Sequence, residues 1–331
     1  MSENLLTVII VNWNGRELLS KCLKALEEQV FRRFSVILAD NGSSDGSVEW
    51  VRQEYPQVEV IALSQNLGFS AANNIALKKV CTPYVALLNN DAFVHPLWAE
   101  KMIAALESNP EAGFAASKLM FADHPEVIDR AGDGYTLAGT GLLRGRGKSA
   151  NDYDKPEWVF GACAAAAVYR TRMLQHIGLF DEDFFLLYED VDLSFRAQLR
   201  GYKCLYVPEA VVFHKSSGSI GHDSPISVYY SHRNLEWVYL QNMPLVLLLK
   251  TLPYHIFYDI SAFLYFAFTG RIREYLKAKT DAFRGVKKAL SKRRIIQRQR
   301  CVNDCYIRQL LTQELFLPRL LRRFPKFRKS V

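Results

Sequence analysis

Three polar stretches in this 331-residue chain carry groups that can do chemistry: Asn89-Asn90-Asp91, Glu189-Asp190-Val191-Asp192, and His214. The first ends an apolar run, Tyr84 to Leu88, that is short enough for a buried strand. In an open α/β sheet, ligands collect just past the carboxyl ends of the strands. A carboxylate placed there can hold a divalent cation, and the cation can hold a phosphate. The same tripeptide also reads as a turn and helix cap before Ala92-Phe93-Val94. The second stretch opens a helix, where acidic residues serve as caps and dipole partners. Asp192 and Arg196 stand four apart and pair along that helix. Asp190, where it faces a pocket, is suited to take the proton of an attacking hydroxyl. His214 ends a strand; imidazole suits Mn²⁺ among the harder ions, and a lone histidine is equally a structural one.

The elements that must position these groups alternate. Strands are predicted over 7–11, 34–39, 58–63, 84–88 and 113–121, and helices over 17–28, 47–55, 69–80 and 96–107, from the shift between strand and helical periodicity. Alternation of this kind means βαβ units and a mostly parallel sheet with helices on both faces. Polar residues follow the first four strands: Asn12 and Asn14, Asp40 and Asn41, Asn66, then Asn89 to Asp91. Gathered on one sheet edge, they build a pocket of hydrogen-bonding groups. Asp40 can accept from a ribose hydroxyl or a base N–H there; it also reads as a turn residue in DNGSSDGS.

Residues 123–158 are rich in glycine and lack a period, which predicts a flap, with a hairpin, over the site. A strand is predicted at 161–169 and another, or a pair bent at Pro208, at 203–213. A helix follows at 228–241. Residues 244–269 are apolar but carry Lys250, Pro253, His255 and Asp259, a poor match to the roughly 20 apolar residues of a spanning helix. They read as an interfacial or partly inserted helix pair, or as a helix packed on the domain. Basic helical residues run over 271–300, and a second basic cluster mixed with Leu and Phe lies at 319–329.

Apolar residues make up 49% and charged residues 23%, the balance of a globular chain. No secretory leader is legible at the start. The six cysteines form no CxxC pair; Cys301 and Cys305, one turn apart, read as packing, and the chain reads as cytosolic. From Arg271 onward there are 19 Lys and Arg against 4 Asp and Glu, a charge of +15 that leaves the first 270 residues at −7. A basic tail on an acidic body does not fit a nucleic-acid-binding face and excludes that partner. It fits an anionic membrane surface.

Together TVIIVNWNG, ILADNGSSDGS, NLGFSAANN, YVALLNNDAFV, FFLLYEDVDLSFR and the VVFH strand end span residues 5 to about 235. In these stretches the chain resembles family-2 glycosyltransferases of the GT-A fold, in the bacterial rhamnosyltransferase-like branch. The resemblance implies a Rossmann-like GT-A domain over 1–235 and an inverting transfer from a nucleotide-sugar donor. The charge and pattern of 236–331 read as a helical, basic, membrane-associating region, and that basic, aromatic tail points to a cell-envelope glycan or lipid-linked acceptor at the inner face of the plasma membrane. Asn89-Asn90-Asp91 stands where the family has its DxD motif. Asp91 and His214 are then ligands of Mn²⁺ or Mg²⁺, and Asp190, in the ED motif, is the base. Asn12, Asp40, Asn66, Gly68, Asn89, Asn90 and Glu189 are then the nucleotide-sugar contacts. Amides at two of the motif's positions bring less charge to the cation. Two other readings remain: a nucleotidyltransferase, which wants a glycine-rich phosphate loop where Asn12 to Arg16 has one glycine, and a non-catalytic scaffold, which does not need both Asp91 and Asp190.

Overall fold

A computed structural model of the chain describes residues 4–216 and 224–313. Most of the SSGSIGHDS turn and the basic cluster at 319–329 lie outside the described residues. The chain divides into two compact units, 1–133 with 143–219, and 134–142 with 220–331.

The first unit begins with β1 (Leu6–Asn12), α1 (Arg16–Glu27), β2 (Phe34–Asp40), α2 (Ser47–Glu54), β3 (Glu59–Ala62), α3 (Phe69–Leu77) and β4 (Tyr84–Asn89). It continues through β5 (Ala92–Val94), α4 (Trp98–Ser108), β6 (Ala112–Phe121) and β7 (His124–Ala131). After β8 (Asp133–Thr136) and β9 (Gly141–Leu143), which fall almost wholly in the second unit, the first unit resumes with β10 (Glu157–Val159), β11 (Ala166–Arg170), α5 (Thr171–Ile177), α6 (Glu189–Leu199) and β12 (Lys203–His214). The sheet order is β10-β12-β6-β11-β4-β1-β2-β3, with β5 on β12 and β7 on β6. β3, β2, β1, β4, β6 and β12 point one way, and β11 and the edge strand β10 run against them. The expected mostly parallel sheet is therefore present.

Successive residues of a strand face opposite sides, so each face needs its own cover. Val8 and Ile10 pack with Leu19, Leu23 and Leu26 of α1, spaced to share one helix face. Ile9 packs on the other side with Ala76 and Leu77 of α3. The parallel register then decides where the polar ends fall. Asn12 pairs with Asp40, and Val11 with Asn89, so these strands finish along one edge. His214, at the end of β12, pairs with Ala92 of β5, which places it beside Asp91.

Residues 123–158 are not a free flap. The expected hairpin is there, but it hinges β7 onto β6 within the main sheet, and β10 pairs with β12. Polar backbone groups are satisfied by that pairing, which a loose loop would leave to water.

The second unit holds α7 (Pro225–Asn242), α8 (Leu245–Phe268), α9 (Ile272–Arg284), α10 (Val286–Arg298), α11 (Asp304–Leu310) and β13 (Leu311–Thr312). β13 pairs with β8 in a small sheet with β9. α7 is continuous across residue 235, so the helical body starts before that position. Residues 244–269 form one helix rather than a pair, with Pro253 on its exposed side. An interior proline costs about 3 kcal/mol. The flanking anchors hold the helix through it: Thr251 donates to Leu247 O (2.8 Å) and meets Tyr239 Oη (2.8 Å), and Tyr239 stacks on His255. Cys301 and Cys305 are exposed and so do not pack as expected. Among the described residues no helix is long and apolar enough to cross a membrane.

Candidate active site

The polar strand ends form a wall stitched by its own hydrogen bonds. Asn12 is fully buried, and its Nδ2 donates to Asp40 Oδ2 (3.0 Å), Ser43 Oγ (3.2 Å) and Ser47 Oγ (3.0 Å). Its Oδ1 accepts from Asn90 Nδ2 (2.8 Å). Gly15 permits this approach, because a Cβ there would overlap the Asn90 side chain. Asp40 Oδ1 accepts from the Ser43 backbone N–H (2.9 Å). Asn66 Oδ1 accepts from Asn41 Nδ2 (3.0 Å) and Gly68 N–H (2.9 Å), and the rest of its side chain is exposed. Gly68 has φ +86°, and a Cβ there would lie 2.5 Å from Phe185 Cδ2. Asn89 is half-buried at the end of β4. Asn12, Asp40, Asn66, Gly68 and Asn90 are thus brought together, Asn12 and Asp40 beneath the surface and Asn66 on it.

Asp91 meets His214: Oδ1 and Nε2 are 3.3 Å apart, and both residues are buried. The Lys215 backbone N–H donates to the Asp91 carbonyl (2.9 Å), pinning the two segments together. On its other side His214 Nδ1 meets Asp129 Oδ2 at 2.7 Å. Asp129 is also paired with Arg146. It owes its position to register: Arg130 of β7 opposes Leu119 and Ile128 opposes Met120, which leaves Asp129 as the extra residue of a bulge. Bulges re-aim side chains in this way. Burial pushes Asp129 upward, but His214, Arg146 and Arg130 outweigh it and hold the carboxyl below its usual range. Burial pushes the His214 imidazole down, and its bonds to Asp129 and Asp91 reverse that, raising it to about 9.

A divalent cation fits this arrangement. A carboxylate oxygen and an imidazole nitrogen converge, both are acceptable ligands for Mn²⁺ once the cation displaces the imidazole proton, and a carboxylate behind the imidazole fixes its orientation.

Asp190 lies in the same unit, linked to this arm through β7. Arg130 follows Asp129 and reaches Asp133 with Nη1 3.3 Å from each carboxylate oxygen. Carboxylate oxygens of Asp133 and Asp190 and the Cys163 sulfur lie within 4.8 Å of one another. Asp190 Oδ2 accepts from Ala164 N–H (3.3 Å), and Oδ1 from Val191 N–H (2.8 Å). It is half-buried. Its neighbours are more deeply set. Burial, then the charge of Asp190, pushes Glu189 up to about 8, and its Oε2 has no partner among the described residues. Burial raises Asp133 to about 7, with Arg130 opposing. The chain enters this helix through Phe185, Leu187 and Tyr188, with φ of 60°, 65° and 72°. Non-glycine residues in that region cost on the order of 1 kcal/mol each, and such strain gathers at functional sites. The expected pairing of Asp192 with Arg196 is present at 2.8 Å.

Asp129, Arg130, Asp133 and Arg146 escaped the sequence reading because they fall in the unpatterned stretch. Its one signal was Asp129-Arg130-Ala131-Gly132-Asp133-Gly134, opposite charges packed among small residues.

Comparison with known proteins gives this arrangement a family. The family model described as glycosyl transferase family 2 matches residues 7–178, more than half the chain. An N-acetylglucosaminyl-diphospho-decaprenol L-rhamnosyltransferase of Mycobacterium tuberculosis is 27% identical over 270 residues, covering 72% of this chain and 84% of that one. The structure of S. aureus TarS residues 1–349 with UDP-GlcNAc aligns with TM-score 0.56 and 18% identity, covering 93% of each chain. GalNAc-T7 with UDP, GalNAc and Mn²⁺ aligns with TM-score 0.58 and 16% identity over 72% of this chain, which spans 48% of that longer protein. The structural likenesses carry the fold, and the matched family carries the chemistry. The chain belongs to glycosyl transferase family 2 and is a glycosyltransferase.

Proposed function

We propose that the enzyme inverts the anomeric centre as it moves a sugar from dTDP-rhamnose or a UDP-sugar to a cell-envelope glycan or lipid-linked acceptor. Asp190 takes the proton of the acceptor hydroxyl as that oxygen attacks the face opposite the leaving nucleotide; a positioned base of this kind contributes about 10²–10⁴-fold. Glu189, buried beside it, is a further donor contact in this reading. Asp91 and His214 hold Mn²⁺ or Mg²⁺, which when bound supplies positive charge to the departing diphosphate. Asp40, with Asn12 bracing it, accepts from the nucleoside, and Asn66, Gly68, Asn89 and Asn90 line the donor side. The acceptor reading is supported by the mycobacterial relative, whose name specifies a diphospho-decaprenol acceptor and an L-rhamnosyl donor group. With the basic C-terminal region, it leads us to place the enzyme as a peripheral protein on the cytoplasmic face of the plasma membrane.

The observation that carries the reading is the 3.3 Å approach of Asp91 to His214, with β7 joining that pair to Asp133 beside Asp190. The test is release of nucleoside diphosphate from a panel of dTDP-, UDP- and GDP-sugars, with lipid-linked acceptor, with and without Mn²⁺ or Mg²⁺. Metal-dependent release of one diphosphate is expected. Pyrophosphate release, or silence across the panel, would overturn it.

A further inference from the structure

α8 is built inside out. Its inward residues are Leu247, Thr251, His255, Tyr258, Ser261, Ala262, Tyr265 and Phe266, a face that carries four hydroxyls and an imidazole among apolar groups. Its outward stripe is Leu245, Leu249, Leu252, Ile256, Ile260 and Phe263, spaced three and four apart on one side of the helix. Val246, Phe257, Leu264 and Phe268 widen that stripe, Phe268 being 80% exposed. A surface helix in water shows the reverse polarity. A contiguous apolar face of this extent on a helix about 36 Å long marks an interaction surface.

We infer that the outward face of α8 is a lipid-binding surface that lies flat in the headgroup–acyl boundary of an anionic bilayer. The inference deepens the proposed membrane-linked role and rests on it. Charge selects the occupant. The one acidic residue of α8, Asp259, is turned inward onto Lys279 (2.5 Å), so the outward stripe has no carboxylate. The following helices carry ten Lys and Arg against two acidic residues between Ile272 and Arg298. Of those two acids, Asp281 is paired with Arg284 (2.9 Å). An apolar stripe on α8, followed in the same unit by two basic helices, matches acyl chains beneath anionic headgroups. A second copy seated on the stripe would bring two such basic surfaces together, which repel. A spanning orientation is closed to α8, because His255 and Asp259 are tied to α7 and α9 by ion pairs midway along the helix.

The test uses the full chain and sedimentation with vesicles of phosphatidylcholine, with or without phosphatidylglycerol. Leu249→Gln/Ile256→Gln/Ile260→Gln changes the stripe without changing charge and is expected to weaken binding at least about tenfold. Lys287→Gln/Arg294→Gln/Arg298→Gln is expected to keep residual binding and lose the preference for phosphatidylglycerol. Phe257→Trp supplies a second readout that needs no loss of affinity: its emission shifts to the blue on adding vesicles, and brominated acyl chains quench it. Wild-type binding by the stripe variant, or an emission of Phe257→Trp unmoved by vesicles, would overturn the inference. So would a dimer in vesicle-free solution that the stripe variant dissociates, since the face would then belong to a second copy. Donor hydrolysis is measured on the same samples. Hydrolysis that survives in the stripe variant, or vesicle binding by a chain that turns over no donor, separates failure of this surface from failure of the proposed reaction.

Discussion

His214 and His255 are each held between a carboxylate and a second acceptor, in different units of the chain. His214 lies between Asp91 at 3.3 Å and Asp129 at 2.7 Å. His255 lies between Glu236 at 3.0 Å and the Ala138 carbonyl at 2.8 Å. The difference is in where the positive charge comes from. In the helical unit Lys279 reaches both Glu236 and Asp259, so the cluster carries its own cation. In the catalytic unit Arg146 serves Asp129, and among the described residues Asp91 has only the imidazole. The first cluster is closed and holds three helices together. The second presents an acid and an imidazole edge that can admit a cation from outside. Like residues thus make a tie closed by Lys279 in one place and, in the function proposed above, a cation site in the other.

The sharpest test lies in the base proposed for the catalytic unit, which has no proposed counterpart in the helical unit. Asp190→Asn is expected to lower transfer by about 10²–10⁴-fold, with donor binding by titration little changed. Transfer at the wild-type rate would remove Asp190 as base and leave the catalytic cluster looking as structural as the other.

Next is the cation itself. Asp91→Ala is expected to abolish the metal dependence of donor binding. Asp129→Asn, which would reach the cation only through the proposed ligand His214, is expected to weaken metal affinity by about 10–100-fold, the usual effect of losing the partner behind a ligating imidazole. Restoring the carboxylate as Asp129→Glu recovers part of it if orientation is the cause. Titrations that coincide for wild type and Asp91→Ala would close the distinction between the two histidine clusters.

How far these clusters could be read in advance follows from their backbones. The strand ends of β1, β2 and β4 were legible because each apolar run stops abruptly at a polar residue, and a parallel register leaves little freedom about where those ends meet. Asp91 and His214 came from the same logic. Asp129 did not, because a bulge is one extra residue in a ladder, and nothing in a single sequence marks which residue is extra. The path from Asp133 to Asp190 was hidden for a related reason: it is made by pairing β7 onto β6 inside a stretch that has no period of its own. The sequence favours a helix pair over one helix at α8, because Pro253 ordinarily stops a helix. Its continuity is set by Thr251 and His255 packing on α7, contacts that local propensity does not contain.

The helical cluster should answer to stability and not to metal. Lys279→Met leaves Glu236 and Asp259 facing each other without a cation, and breaking a buried ion cluster from one side costs about 3 kcal/mol. Their side chains keep 24% and 30% exposure, which puts the expected loss at or below that figure. Thermal unfolding should show it, while the metal titration of the folded variant stays where it was. A shifted titration with unchanged unfolding would reverse the assignment of the two clusters.

The smallest effect is in pH. Burial pushes His255 below its ordinary 6.5, but the hydrogen bond to Glu236 and the charges of Glu236 and Asp259 outweigh it and raise it. A raised histidine stabilises fully below about 6.5 and loses that contribution as pH climbs through its folded value. Glu236 is pushed up by burial and brought down further by His255 and Lys279, to about 2. Its contribution is complete above 4.5 and fades as pH falls toward 2. Asp259 is raised, by burial and then by Glu236, so its ionisation subtracts from stability above 3.8. The cluster should therefore stabilise most near pH 5–6, with a decline on the order of 1 kcal/mol into the alkaline range. Unfolding midpoints of wild type and His255→Gln across pH 5 to 9 check it: the wild-type curve should slope down above neutrality and the variant's should be flatter. Parallel curves would mean that His255 is not the group that titrates, and that the closed cluster is held by Lys279 alone.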